Sequence, residues 1–243
     1  MEKFKIILKR FLLNKGSAFG GVFLILIVFG AIFAPIIAPY DWNAVDTGPR
    51  LSPPSWDFLF GTDIHGRDVF SRIIYGARYS LSVGVISVLF GIISGSIFGI
   101  TIAYIGGRVD MIGSRIIDVM FGFPSFLLSL LVVAIIGVGL WNVVFAVGLA
   151  SIPHFARIIR SAALQVKEQP YIEACVSLGY GNIRIMLNHI LPNIFPVIIV
   201  IATLDLGGAI ISIASLSFLG LGAQPPEPEW GAMLSSGREY MRY

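Results

Sequence analysis

Asp63, His65 and Asp68 lie close together in the chain, and carboxylates and imidazoles are common ligands of divalent metals. Their spacing matches no standard ligand pattern. The whole chain has three histidines and one cysteine, so no metal centre is expected. Phosphate binding would need a Gly-rich turn ending in Gly-Lys-Ser or Gly-Lys-Thr, whose backbone N–H groups cradle the anion. The lysines here follow Glu2, Phe4, Leu8, Asn14 and Val166, so such a loop is absent. Nucleophile, base and orienting group nowhere fall together, so enzymatic chemistry is not expected. Two features remain. Asp205 stands in an otherwise apolar run, and the polar stretch YIEACVSLGYGNIRIMLNHILPN, residues 171–193, interrupts long hydrophobic segments.

The elements that position these residues follow from composition. Of 243 residues, 56% are hydrophobic and 13% charged, against about 25% charged in a soluble domain. Mean hydropathy is +0.85. Several apolar runs reach about 20 residues, the length that crosses a ~30 Å hydrocarbon core. In lipid every backbone polar group must be paired internally, which selects helices. The reading is an all-α integral membrane protein with five transmembrane helices, seated in the lipid bilayer.

Residues 1–17 form an N-terminal segment, and 18–39 the first span, too long for a signal-peptide core and lacking a clean cleavage site. Residues 40–79 form a polar segment in which Asp68 to Tyr79 reads as an amphipathic surface helix. Residues 80–243 form the core. Its spans are expected at about Ser80–Ile105, Met111–Gly137 (with Pro124 inside), Leu140–Leu164 and Ile194–Leu219, with a loop at 165–193 and a polar tail at 220–243. Eleven Lys and Arg residues fall on the side of the N-terminus and the 165–193 loop, and six on the other. The positive-inside bias therefore puts the N-terminus and that loop in the cytoplasm, and 40–79 and the tail outside.

Within 171–193, Pro170 suits a first helical turn. Tyr171 to Leu178 then offers Ile172, Cys175, Val176 and Gly179 on one face, with Glu173 and Ser177 turned away. Gly179 and Gly181 break the helix, and Asn182 is placed to cap a second one. That helix offers Ile183, Ile185, Met186, Leu187 and Ile190 for burial, leaving Arg184 and Asn188 exposed. Pattern alone fits either a rigid two-helix knob or an ordinary loop with interfacial helices. Gly91, Gly95 and Gly99 recur every fourth residue, a spacing that lets backbones approach, either within this chain or along a partner interface or passage. Asp205 is read as a hydrogen-bonding group or as part of a substrate path. Arg115 and Asp118, three apart, form a self-neutralising pair.

The order Glu173-Ala174-Cys175, then Gly179, then Leu191-Pro192, resembles the EAA loop of ATP-binding-cassette (ABC) importer permeases, with Cys175 for the usual third Ala. His189 is similar to the peptide branch of that family. So are Gly61-Thr62-Asp63 with Gly66-Arg67-Asp68, Gly106-Gly107-Arg108-Val109-Asp110, Ser217 to Gly222, and Glu229-Trp230-Gly231. These motifs cover nearly the whole chain and resemble the second-subunit type of dipeptide, oligopeptide and nickel permeases. The resemblance implies a type I (MetI-like) helical bundle forming part of a path for peptides or a related solute such as nickel. It implies a homologous second permease, two cytoplasmic ATPases and an external binding protein, with no nucleic acid. It also implies that the loop, through Glu173, Ala174, Cys175, Gly179, Arg184, His189, Leu191 and Pro192, docks on the ATPase. Permeases of this kind have six spans, so a lost last span is expected here. The competing readings are an ATP-independent channel or secondary carrier, which would need coupling groups at mid-membrane where only Asp205 qualifies, and a non-transporting remnant.

Overall fold

The computed structural model describes residues 13–240, and among them the only extended pairing is an isolated bridge between Thr62 and Asp68. Everything else regular is helical. Helix α1 spans Lys15–Ile32, and Asn14 caps it by accepting from the backbone N–H groups of Gly16 and Ser17. A short α2, Ala34–Ile37, follows with Pro35 in its first turn, where a missing N–H costs nothing. Among the described residues, four helices are long and apolar enough to cross a membrane, or up to five if one sharply bent pair counts as a single span.

Two compact units organise the chain. The first comprises the residues up to Ser80 together with those from Pro225 onward; the second comprises Leu81–Gln224.

In the first unit, the loop carrying Gly61, Thr62, Asp63, Gly66, Arg67 and Asp68 is tied by its own polar groups. Asp63 accepts from the N–H groups of His65 (2.8 Å) and Arg67 (3.0 Å) and from Arg67 Nε (2.6 Å). The Thr62 hydroxyl accepts from Ser52 N–H and donates to Pro49 O. Buried Asp68 accepts from both the N–H and the hydroxyl of Ser71, which caps the start of the next helix. These residues are therefore engaged in building the loop. Arg72 reaches the carbonyls of Trp42 and Pro226, and Trp230 Nε1 donates to Ile73 O. Glu229, 1% exposed, caps the helix Trp230–Arg238 by accepting from Ala232 N–H, while the Ser80 hydroxyl bridges Glu229 and Trp230 N–H.

Helix α3, Val69–Ile105, has 37 residues, about 55 Å at 1.5 Å per residue. A separate surface helix over Asp68–Tyr79 is thus corrected: the amphipathic stretch and the second span are one helix. The physical reason is local. Asp68 starts it, and no Gly or Pro stands at Tyr79–Ser80 to end it.

In the second unit, α4 (Gly107–Phe121) and α5 (Ser125–Ile136) meet at 89°. The third span was expected to be continuous. Pro124 has no N–H and disfavours helical geometry at Phe123, and Gly122 adds freedom, so the ladder stops and restarts. Helix α6, Leu140–Lys167, runs through Pro153 and buries Val143, Ala146, Ala150, Phe155, Ala156 and Ile159. The glycine ladder of α3 lies against it. A Cβ on Gly95 would stand 2.7 Å from Phe155 Cβ, and one on Gly99 would stand 2.7 Å from Ala156 O; Gly91 faces Ser151 and Gly148. Gly91, Gly95 and Gly99 therefore seal a seam within this chain, the first of the readings that their spacing left open.

Candidate functional site

Beyond α6 the chain makes a helix–turn–helix. Helix α7, Pro170–Ser177, opens with Pro170 in its first turn, and Ile172 is buried at 2% exposure. Gly179 takes φ +79, the left-handed conformation that closes a helix C-terminus and that a Cβ disfavours. Tyr180 N–H then returns to Cys175 O, and Gly179 N–H to Val176 O. Helix α8, Asn182–Ile185, passes into one π turn at Met186–Ile190 and then into α9, Leu191–Phe218. The wider turn stands just before Pro192, where the ladder lacks a donor; Leu191 N–H reaches back to Met186 O, and Asn193 Nδ2 donates to His189 O at 2.6 Å.

Two expectations are corrected here. Gly181, extended, occupies the N-cap position, so Asn182 is already helical and its amide oxygen instead accepts from the Tyr104 hydroxyl at 3.2 Å. The apolar residues also divide. Ile185 and Ile190 are fully buried, whereas Val176, Ile183 and Leu187 are exposed by more than half, with Tyr171 and Leu178 also open. Residues 183 and 187 are one helical turn apart and share a face that the chain leaves uncovered. Glu173, Ala174 and Arg184 are exposed on the same element.

The turn is held by contacts that sequence reasoning missed. Cys175 Sγ lies 3.8 Å from His189 Nε2, the Tyr180 ring stacks on His189, and the Arg184 guanidinium sits 4.6 Å over Tyr180. Cys175, Arg184 and His189 are thus brought together across the glycine turn. Below the element, Lys167 Nζ donates to Ala103 O, and Arg160 grips Asp110 with two bonds of 2.5 Å. Asp118 takes its short bond from Arg157, at 2.6 Å, whereas Arg115 stays 3.9 Å away. The Lys167–Ala103, Arg160–Asp110 and Arg157–Asp118 partners are 39 to 64 residues apart in sequence, and no local pattern reveals them.

Asp205 lies elsewhere. It faces a cavity of about 420 Å³ between the α4–α5 break, α6 and α9, with His154, Ser125, Ser151 and Ser212 among its walls. Asp205 is half-buried. No hydrogen bond or ion pair to it is found among the described residues.

Among the described residues, helices apolar and long enough to cross a membrane are interrupted by this compact helix–turn–helix. The family model for the binding-protein-dependent transport system inner membrane component matches residues 87–241, and that for the N-terminal TM domain of oligopeptide transport permease C matches 3–54. The chain belongs to this family of ABC importer permeases, multi-pass proteins of the cell membrane.

Individual relatives sharpen the placement. A dipeptide transport system permease protein of Alkalihalophilus pseudofirmus is 43% identical over 229 residues, 94% of this chain and 75% of its own length. A di/tripeptide permease of Pseudomonas aeruginosa is 43% identical over 94% of this chain and 77% of its own. A glutathione transport system permease of Escherichia coli is 46% identical over 96% and 77%.

Proposed function

We propose that this subunit passes small peptides across the membrane, and that residues 165–193 couple it to a cytoplasmic ATPase. The cargo reading rests on one observation: relatives that share 43–46% of residues along almost the whole chain are named for dipeptides, tripeptides and glutathione. This favours peptides over nickel. The complete importer would contain a second permease, two ATPases that bind ATP and magnesium, and an external binding protein.

The coupling reading is supported by rigidity and exposure together. Ile172, Ile185 and Ile190 anchor the element, while Tyr171, Val176, Leu178, Ile183 and Leu187 leave an apolar surface around Glu173. Such a surface marks a protein or membrane interaction site, and the exposed Glu173 in its midst favours a protein. ATP-driven closure of the ATPases would move it and tilt α9, which continues from it without a break.

The excess of cations on one side favours a cytoplasmic N-terminus and a cytoplasmic position for this element. Uptake of a labelled dipeptide into proteoliposomes holding the complete set of subunits tests the cargo; uptake should require ATP and this chain. Transport that persists without ATP would overturn the coupling. An impermeant thiol reagent applied outside, in a Cys175-free background, should label Asp46→Cys and spare Lys167→Cys; the reverse would invert the orientation.

A further inference from the structure

We propose that Asp205 is the cation-accepting group of a cargo station inside the membrane-spanning unit, taking the ammonium end of a peptide. This deepens the peptide reading and rests on it.

The helical unit has three aspartates, Asp110, Asp118 and Asp205. Asp110 is matched to Arg160 and Asp118 to Arg157. Asp205 alone makes no ion pair among the described residues; it faces the 420 Å³ cavity, and its titratable neighbour there is the His154 imidazole. A carboxylate midway along an apolar helix is costly and rare unless it serves a passage or a partner. The cavity carries no Lys or Arg in its wall, so it is built for a cation and against an anion. The other wall groups are hydroxyls from Ser125, Ser151 and Ser212, the His154 imidazole and the Phe121 and Phe123 rings. Hydroxyls serve peptide amides, and rings attract an ammonium through their faces. The volume lies within the usual range for small-ligand sites, about 300–1,000 Å³. Gly208 in the wall has no neighbouring atom within 4 Å of a would-be Cβ, so nothing in this chain packs against the wall at that point. Dipeptides, tripeptides and glutathione differ in length and side chains but share one free ammonium group. A single acceptor for that group would serve them all.

The test is the charge preference of a thiol placed in the wall, in the assembled importer. Ser212→Cys in a Cys175→Ala background is reacted with methanethiosulfonates bearing either a trimethylammonium or a sulfonate head. The cationic reagent should react roughly tenfold faster, as expected where one charge focuses counter-ions in a cleft. Asp205→Asn should abolish that preference and Asp205→Glu should keep it. Equal rates before substitution would mean that Asp205 is already neutralised by a cation of the second permease. Equal rates, an unaltered preference in Asp205→Asn, or no reaction with either reagent would each overturn the proposal. A second reading uses cargo at saturating binding protein: Asp205→Asn should lower the maximal rate for a free-ammonium dipeptide several-fold more than for its N-acetylated form. A charge preference that survives while no dipeptide is transported would sink the peptide reading and leave the cation station standing.

Discussion

Two sets of glycines in this molecule do opposite work. Gly91, Gly95 and Gly99 on α3 are ordinary in conformation and have no room: a Cβ at any of them would collide with α6. Gly179 has open space around it, with nothing within 4 Å, yet its φ is +79. The first set is required by proximity, the second by backbone geometry. A seam built by proximity locks helices together; a turn built by geometry sets the angle between two short helices.

The largest effect should come from filling the seam. In Gly95→Leu the side chain must displace Phe155 and the backbone at Ile152 and Ala156, and overpacking of this kind costs about 1–3 kcal/mol or more. We expect little folded subunit in detergent extracts, measured by size-exclusion chromatography. Gly20→Leu, on α1 with no atom within 4 Å, should leave the yield unchanged. Equal yields from both would show that the seam tolerates bulk and would erase the contrast.

Gly179 should fail in another way. A side chain in left-handed backbone costs roughly 1–2 kcal/mol per residue, and β-branching makes it worse. Gly179→Val should therefore retain near-normal membrane levels while losing peptide uptake and ATPase co-purification. Gly179→Asn, which tolerates this conformation, should keep most activity, and Glu173→Ala should show a weaker loss than Gly179→Val. If Gly179→Val transports normally, the turn is an ordinary loop.

The same contrast explains what the sequence made legible. The four-residue glycine spacing announced close packing, but spacing carries no information on which helix comes near. The partner turned out to be α6 of the same chain. At the turn, Gly179 beside Gly181 did announce the break, because chain reversal is a local matter. Asn182 looked like a cap by residue type, yet Gly181 took the position and freed the amide for Tyr104. Val176, Ile183 and Leu187 looked like core by hydrophobicity, since apolar residues meant for a partner are indistinguishable in sequence from those meant for the interior. Pro124 lay inside what reads as a single span, and nothing in the sequence announced the 89° break.

Between the seam and the turn lies a clamp. Arg160 holds Asp110 through two parallel bonds, a geometry that a lysine ammonium cannot reproduce. Both side chains are partly open to solvent, so the pair should contribute no more than about 1–2 kcal/mol. Arg160→Lys should lower the thermal midpoint of the purified complex by a few degrees and leave cargo preference untouched. A variant as stable as the parent would show that the α4–α6 contact stands on packing alone.

The smallest effect is expected where the seam helix meets the helix–turn–helix proposed as the coupling element. Tyr104 stands at the end of α3, and its hydroxyl donates to Asn182, the first residue of α8, at 3.2 Å. It is a long-range polar tie between the glycine-sealed helix and the two-helix knob. Tyr104→Phe keeps the ring, including its face toward Lys167 Nζ at 5.8 Å, and removes only the hydroxyl. An exposed neutral hydrogen bond is worth about 0.5–1.5 kcal/mol at most, so folding and ATPase binding should not change measurably. What should change is the stiffness of transmission. A knob freed from α3 can tilt without carrying the span with it, so more ATP is spent per peptide moved. We expect the ratio of ATP hydrolysed to dipeptide imported to rise by about twofold, the factor that ~0.5 kcal/mol implies. Asn182→Ala should give the same rise, and the double variant should add nothing further, because both remove one bond. Additive increases would mean that Tyr104 and Asn182 act separately and that the knob is aimed by its own turn alone.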